Sequence, residues 1–587
     1  MKKLIALLVV SMLIIGVLAA CSNDTPEATP APTPAPSGTT VTPPEGDDKS
    51  EGQLLAEELG LPYTPLSEAA PITFTYFDRS PRTAPGANNP IINAIEVITN
   101  TKIEWEFLVG ELEQKIGVML ASGDWPDMAF FGGEAGPFLD SGLVLPLQDL
   151  ITDYAPNLRS HYDPWWNLMF YGRPDLYVAE IFGTPVGTQY VNEHWGTAFW
   201  LQKAVLEHFE RAPANLDEYF DFIRGYMEAY PTIDGVPTIG FEILTDGWRR
   251  FCIDNPPMFM AGYGNWGPAA VDQFNFDDVT GVSTRWRNDW NKAYYKKLND
   301  EYHLGTISRE TLTRSFDDYL ATLASGAVLG MSDQLWNFNS GLDPLRAEGR
   351  WERTYLPLDF TNPGVTPNYL DAREFTGNNG IIVNRNISDP VRLIQYWDYL
   401  IQEDVQRFLS WGIEGEHWFY NDAGRIERPQ DQRELQRETR WKDDNMGEFL
   451  YNAMPKMQGS FADGNATVPG EQPEEYLAGL TEYDQELFGK LGIKNQTGLM
   501  SGGVATVWPV YYPFWSMSYE AGSPAELADQ RITDVNTRYL SALVVAPADG
   551  FDALWDEYQT ALEGTGEQDL LDEIVRQAKE RLAAFGG

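Results

Sequence analysis

Cysteine and histidine are scarce in this sequence, with two cysteines, Cys21 and Cys252, and five histidines among 587 residues. We assign Cys21 to another role below, which leaves Cys252 without a partner and excludes a disulfide framework. No Cys or His cluster has the spacing of metal ligands, so the sequence offers few residues for a zinc or copper site. His417 has no partners nearby and is better explained as a packed or solvated histidine. We therefore predict no cofactor and propose no residue as a metal ligand.

Basic residues are also few. Lys and Arg total 42 against 86 Asp and Glu, which gives a formal net charge of -44. So negative a chain repels a phosphate backbone, and we predict no binding of nucleic acid. The same charge argues against broad electrostatic docking on an anionic lipid surface. A solvated acidic surface explains the composition.

The familiar catalytic motifs are missing too. The sequence has no G-x-S-x-G elbow, no H-E-x-x-H, no G-x-x-x-x-G-K-[ST] and no EF-hand loop. Glycoside hydrolysis, however, needs only two carboxylates about 5–10 Å apart, which any acidic chain supplies. We predict that the protein is not an enzyme, and a secreted glycoside hydrolase stays open as the alternative from another class.

The N-terminal residues have the pattern of an export signal. Lys2 and Lys3 precede an apolar run that is shorter than the roughly 20 residues of a spanning helix. The run ends in Leu18-Ala19-Ala20-Cys21, which resembles the lipobox of bacterial lipoproteins. The resemblance implies a signal peptide at 1–20 and a lipid on Cys21. We expect the protein on the extracytoplasmic face of the cell membrane, anchored by that lipid.

A stalk is predicted behind the lipidated cysteine. Residues 22–45 are mostly Thr, Pro, Ala and Glu, a composition that favours polyproline II and buries no core. We extend this flexible segment to residues 21–70, because the acidic stretch Glu45–Glu58 also has the composition of a poorly ordered chain. The folded body is then predicted at 71–587.

The start of that body predicts a parallel sheet. Residues 72–77 and 103–107 read as strands, and 128–131 as a third, with helical stripes between them. This β-α-β-α-β order implies crossover helices and a largely parallel sheet. Ligands of such sheets bind beyond the carboxyl ends of the strands. Asp78, Arg79 and Glu134 follow the first and third strands and are therefore predicted ligand-binding residues.

Five phrases along the chain resemble one family when they are taken in order. They are Ala121–Asp127 followed by an apolar strand, Gly142–Leu147, Trp200–Lys203, Phe316–Met331, and Gly412–Trp418. Together, behind a lipobox, they are similar to the extracellular solute-binding proteins of ABC transporters, especially the family 1 sugar-binding lipoproteins. The resemblance covers nearly all of residues 71–587. The aromatic section around Trp508 and Trp515 departs from the family pattern. Of all the properties that the resemblance implies, the identity of the ligand is therefore the one least safely carried over to this chain.

The resemblance implies an α/β, two-lobed periplasmic-binding-protein-like fold of type II, with a ligand cleft between lobes joined by a hinge. Lobe 1 is expected at about 71–187 and 376–450, and lobe 2 at about 188–375 and most of 451–587. The implied function is capture of a sugar or oligosaccharide for the transmembrane subunits of an ABC permease, by a monomer. A peptide or another polar nutrient remains the alternative ligand.

Aromatic residues are abundant, with 19 Trp, 28 Tyr and 29 Phe. A pyranose has an apolar C–H face that a ring can cover and a hydroxyl rim that polar groups can bond. Any single tryptophan is more often a packing residue, but we expect at least one or two in the cleft. The candidates in polar or Gly-rich surroundings are Trp195, Trp248, Trp266, Trp336 and Trp418. Asp333 after an apparent strand, and Arg373 and Asn378 near the crossing into lobe 1, complete the predicted site.

Overall fold

A computed structural model describes residues 49–585 apart from 172, 272–278, 280, 371–374, 376, 378, 501–512 and 516. The predicted signal peptide, Cys21 and most of the predicted stalk lie outside these residues. Within the described ranges, no helix combines the length and the apolarity that crossing a bilayer requires.

The folded body begins earlier than the predicted residue 71. Helix Glu51–Leu59 starts at a capping box, in which Ser50 and Gln53 bond each other's backbone N–H groups. Ala56, Leu61 and Leu66 follow and pack into the same core as the first strands. The predicted stalk is therefore too long at its C-terminal end. A few well-placed apolar residues and a strong cap outweigh the acidic composition of this segment.

The described residues contain seventeen strands. In chain order they are β1 (Ile72–Asp78), β2 (Thr101–Phe107), β3 (Met128–Phe130), β4 (Val178–Glu180), β5 (Pro185–Val186), β6 (Thr197–Gln202), β7 (Thr232–Ile233), β8 (Val236–Pro237), β9 (Ile239–Glu242), β10 (Ala269–Val271), β11 (Val282–Thr284), β12 (Val328–Gln334), β13 (Tyr355–Leu358), β14 (Gly380–Val383), β15 (Phe419–Tyr420), β16 (Ile426–Glu427) and β17 (Gln458–Gly459). Nine of them form two larger sheets, and the others form two-stranded pairs.

The α-helices account for most of the remaining regular structure. Up to β14 they are Glu51–Leu59, Pro90–Thr99, Leu112–Ser122, Gly136–Ser141, Gln148–Tyr154, Pro156–Tyr162, Lys203–Phe209, Leu216–Ala229, Phe251–Asp254, Pro256–Met260, Asp289–His303, Phe316–Ala324, Leu335–Phe338 and Asp343–Ala347. After β14 they are Pro390–Leu400, Glu403–Trp411, Gln430–Leu435, Thr439–Asn445, Glu448–Ala453, Pro473–Ala478, Glu482–Leu491, Pro524–Val544, Phe551–Glu563 and Glu567–Phe585.

The first sheet has the strand order β2-β1-β3-β14-β4. β1 pairs in parallel with both β2 and β3, through crossover helices Pro90–Thr99 and Leu112–Ser122, as the sequence pattern predicted. Asn89 caps the first of these helices by accepting from the backbone N–H groups of Ile91 and Ile92. β14 arrives from far along the chain and pairs antiparallel with β3 and β4.

The second sheet has the order β13-β6-β12-β9. β9 and β12 are parallel and so end at the same edge. β6 runs antiparallel to β12, so its first residues lie at that edge too. Each sheet has its own large hydrophobic core, and the core of the second sheet also takes in the C-terminal helices from Pro524 onward. We call the two bodies the first and second lobes.

Candidate ligand-binding site

Two of the predicted tryptophans meet at the carboxyl edge of the second sheet. Trp248 lies in the short turn Gly247–Arg250 after β9, and Trp336 lies in the helix Leu335–Phe338 directly after β12. Because β9 and β12 are parallel, the two segments leave the sheet side by side. The edge therefore brings together rings that are far apart in the sequence.

The two indoles stack in parallel. Their ring centroids are 5.9 Å apart and their planes are inclined by 4°. Both also contact the ring of Phe251, at 5.7 and 5.5 Å between centroids. Trp248 is 41% exposed and Trp336 is 46% exposed. We call this pair, Trp248 and Trp336, the tryptophan platform; a large part of each indole side chain is exposed.

Cations lie against the platform from both lobes. Arg79 follows β1 in the first lobe, and its Cζ is 5.2 Å from the ring centroid of Trp248. Its backbone N–H donates to the carbonyl of Phe130, so the sheet fixes where the side chain starts. On the second lobe, the Cζ of Arg249 lies 4.6 Å from the ring centroid of Trp248 and 3.6 Å from that of Phe316. The edges of the two sheets therefore face each other at Trp248.

Asp333 is a buried residue next to the segment that carries Trp336. It lies inside β12, which runs past the predicted end at Met331, and it is 1% exposed. Its carboxylate accepts from the Tyr319 hydroxyl at 2.6 Å, from Asn337 Nδ2 at 3.1 Å and from the Cys252 thiol at 3.2 Å. Burial raises its pKa to about 6. Since these donors surround the carboxylate, we assign Asp333 to positioning and not to ligand contact.

The positioning continues from Asp333 to the cation. Asn337, which donates to Asp333, also accepts from Nε of Arg249 at 3.0 Å. A buried carboxylate thus holds an amide, and the amide holds the guanidinium that stacks on Trp248. Groups fixed by such chains are held in one geometry before any ligand arrives.

Asp78 is also a positioning residue. It ends β1 and is 7% exposed, and its Oδ1 accepts from the backbone N–H of Ser80 at 2.8 Å. Burial raises its pKa, against the opposing effect of the Ser80 bond. The bond fixes the turn that carries Arg79 out of the sheet.

The other predicted tryptophans lie elsewhere. Trp266 is 6% exposed and packs in the second core against Tyr263 at 5.3 Å between centroids. Trp418 is 4% exposed and donates its Nε1–H to the carbonyl of Gly412. Both rings are packing residues in this structure. Trp195 is 42% exposed, bonds Glu193, and precedes β6, whose first residues lie at the platform edge of the second sheet.

Three predicted residues cannot be placed against this geometry. Arg373, Asn378 and the side chain of Glu134 lie outside the described residues. Among the residues that the structure does describe, no group of three or more His, Cys, Asp or Glu side chains could hold a metal ion.

The sequence pattern did not single out several residues near the site. Arg249 and Asn337 each lie next to a predicted tryptophan, and that adjacency was the available signal. At the first-lobe edge, Arg82 places its Cζ 4.1 Å from the ring of Phe449 and forms an ion pair with Asp443 at 3.9 Å. No sequence signal links residues so far apart in the chain.

No protein-family model and no curated protein sequence matches the chain. Solved structures do match. The chain is similar to the alginate-binding protein AlgQ2 without calcium ion, with a TM-score of 0.58 and 16% identity over 89% of this chain and 100% of that one. It is similar to an extracellular solute-binding protein from Bifidobacterium longum subsp. infantis, with a TM-score of 0.58 and 16% identity over 90% and 100% of the two chains.

The S. pneumoniae ABC-transporter substrate-binding protein FusA, in complex with kestose, is similar too, with a TM-score of 0.56 and 15% identity over 88% of this chain and 99% of that one. At such identities the likeness establishes the fold. The predicted α/β, two-lobed periplasmic-binding-protein-like fold is thereby confirmed.

Proposed function

We propose that this protein is the substrate-binding component of an ABC importer, which captures a sugar or oligosaccharide outside the membrane and delivers it to the transmembrane subunits of a permease. The observation that carries the proposal is the exposed tryptophan platform at the carboxyl edge of the second sheet, faced by Arg79 of the first lobe. A sugar ring has an apolar face for the indoles and hydroxyls for the polar side chains around them.

The fold supports the same reading. The structures it resembles include an alginate-binding protein and a substrate-binding protein in complex with kestose. In two-lobed proteins a ligand bridging both lobes stabilises the closed state, because only that state offers contacts from both sides. Arg79 and Trp248 supply one group from each lobe.

Binding without turnover fits the carboxylates of the described site. A glycoside hydrolase needs two carboxyl groups that reach the scissile bond. Asp78 and Asp333 are buried, and protein donors bond Oδ1 of Asp78 and both carboxylate oxygens of Asp333. We infer a monomeric binding protein, with a hydrolase as the alternative that the following experiment addresses.

Purified protein is expected to show a higher melting temperature with an oligosaccharide from a panel of neutral and acidic sugars. Saturation at a hundred times Kd adds about 2.7 kcal/mol to the free energy of unfolding. Chromatography after prolonged incubation is expected to return the sugar intact. Products formed over many turnovers would establish a hydrolase, and a thermal shift with peptides but with no carbohydrate would overturn the ligand class.

We further propose that Cys21 carries the lipid that anchors the protein, on the lipobox-like Leu18-Ala19-Ala20-Cys21. Cys21→Ser is expected to move the protein from the membrane fraction to the soluble one, because stable anchoring needs acyl chains. Cys252→Ser is the matched control, since it keeps a hydroxyl donor for Asp333 and leaves Cys21 intact. An unmodified Cys21 in membrane-bound wild type, seen by mass spectrometry, would refute the anchor.

A further inference from the structure

Arg249 is a half-buried arginine in this acidic protein. Its neighbours in the second lobe pair with carboxylates: Arg314 with Glu242 at 2.7 Å and Arg285 with Asp254 at 2.9 Å. Within the described part of the chain, Arg249 has no carboxylate at ion-pair distance. The chain has 86 acidic and 42 basic residues. Because acidic residues are in such excess, the absence of an ion pair at Arg249 among the described residues needs an explanation.

The contacts that Arg249 does make leave one edge of its guanidinium open. Its Cζ lies over the rings of Trp248 and Phe316, and its Nε donates to Asn337. Neither Nη1 nor Nη2 has a hydrogen-bond partner among the described residues. The Nη1–Nη2 edge can bind a carboxylate with two parallel hydrogen bonds.

Electrostatics at this position favours an anion. Burial lowers the pKa of Arg249 and the positive charge of Arg79 acts in the same direction, while Asp246, Cys252 and Asp333 act to raise it. The net shift is downward, so the charged guanidinium is less stable here than in water. A negative group placed at the open edge would stabilise the charged form, because it would lie close to two cations on one aromatic ring.

We propose that the sugar unit lying on the tryptophan platform carries a carboxylate, as a uronic acid does, and that Arg249 is the residue that binds it. The proposal rests on the proposed function and names the substrate class of the same site. Arg249 is the specificity-determining residue, and Asn337 and Asp333 are positioning residues that hold its guanidinium for a bidentate contact.

Calorimetry with a matched pair of probes tests the proposal: an oligogalacturonide trimer and the same trimer with its carboxyl groups reduced to alcohols. Wild type is expected to bind the acidic trimer at least about tenfold more tightly, since a charged hydrogen bond is stronger than a neutral one. Arg249→Gln is expected to weaken binding of the acidic trimer by about tenfold to a hundredfold and to leave the neutral trimer within about twofold. Arg249→Lys keeps the positive charge but cannot form two parallel hydrogen bonds to a carboxylate. Its affinity for the acidic trimer is expected to lie between those of wild type and Arg249→Gln.

Arg250→Gln is the matched control, because it removes the same charge from the next residue. The guanidinium of Arg250 bonds Thr533 and Thr537 on the C-terminal side of the lobe, so this variant is expected to keep the acidic preference. Circular dichroism confirms that each variant folds.

Three outcomes overturn the inference. If wild type binds the neutral trimer as tightly as the acidic one, or if Arg249→Gln weakens both trimers equally, the carboxylate assignment is wrong while the sugar-binding function stands. If neither trimer nor any other carbohydrate in the panel binds, the proposed function fails together with the inference.

Discussion

Replacing both platform tryptophans, Trp248→Ala with Trp336→Ala, is expected to weaken sugar binding by roughly two to three orders of magnitude. Loss of one tryptophan from the centre of a binding site costs about 2 kcal/mol or more, which is roughly thirtyfold in Kd. The indoles contact each other at 5.9 Å, so the two single effects are not expected to add simply. Titration calorimetry on the two single variants and the double variant measures this.

Two further variants separate binding from folding. Tyr230→Ala removes an equally exposed ring, 45% exposed, that lies tilted against Tyr226 and away from the platform edge; the affinity of this variant is expected to equal that of wild type. Trp266→Ala removes a core ring and is expected to cost about 3–5 kcal/mol of folding stability. The platform assignment is wrong if the double variant of Trp248 and Trp336 binds as tightly as wild type.

Local sequence patterns predicted the first sheet well. The β-α-β-α-β order at residues 72–130 and the parallel pairing of β1 both follow from the periodicity of apolar residues. These features depend on neighbours within a few tens of residues. The antiparallel strand β14 enters the same sheet from residue 380, and nothing in its local sequence specifies that pairing.

The site was predicted less completely, for a physical reason. A tryptophan between glycines and polar residues has the same local sequence whether its ring is covered or open, so Trp248 and Trp266 could not be told apart. Which ring stays exposed depends on the residues that pack over it. For Trp266 these include Phe514, at 5.2 Å between ring centroids. Asp333 was predicted to follow a strand, but it lies inside β12, and the donors that enclose it, such as Tyr319 and Cys252, come from other segments.

The stability of the protein is expected to fall steeply in mild acid because of two buried histidines. His161 is 8% exposed with its Nε2 at 3.1 Å from the Thr184 hydroxyl, and His194 is 3% exposed with its Nε2 at 2.9 Å from the carbonyl of Thr197. Burial lowers the pKa of each to about 4, from 6.5. Neither imidazole has a carboxylate at ion-pair distance among the described residues, so protonation would leave a buried positive charge without a partner.

The sign follows from which state binds the proton. Between pH 6.5 and about 4 the unfolded chain protonates both histidines and the folded chain does not, so the free energy of unfolding falls as the pH falls. Each histidine is expected to remove roughly 2 kcal/mol between pH 7 and pH 4.5. Asp333 acts in the opposite sense: its pKa of about 6 lies above the ordinary 3.8, so the folded state takes up its proton first and gains stability in acid.

Urea unfolding of His161→Gln and His194→Gln at pH 7 and pH 4.5 isolates the histidines from the carboxylates. Each variant is expected to lose less stability than wild type on acidification, by roughly 2 kcal/mol, because its amide cannot take a proton. Val205→Ala is the control: it removes buried methyl groups without a titratable group and is expected to lower stability equally at both pH values. If both glutamine variants lose as much stability as wild type between the two pH values, then the imidazoles are protonated in the folded state, and their burial does not determine the acid sensitivity of this protein.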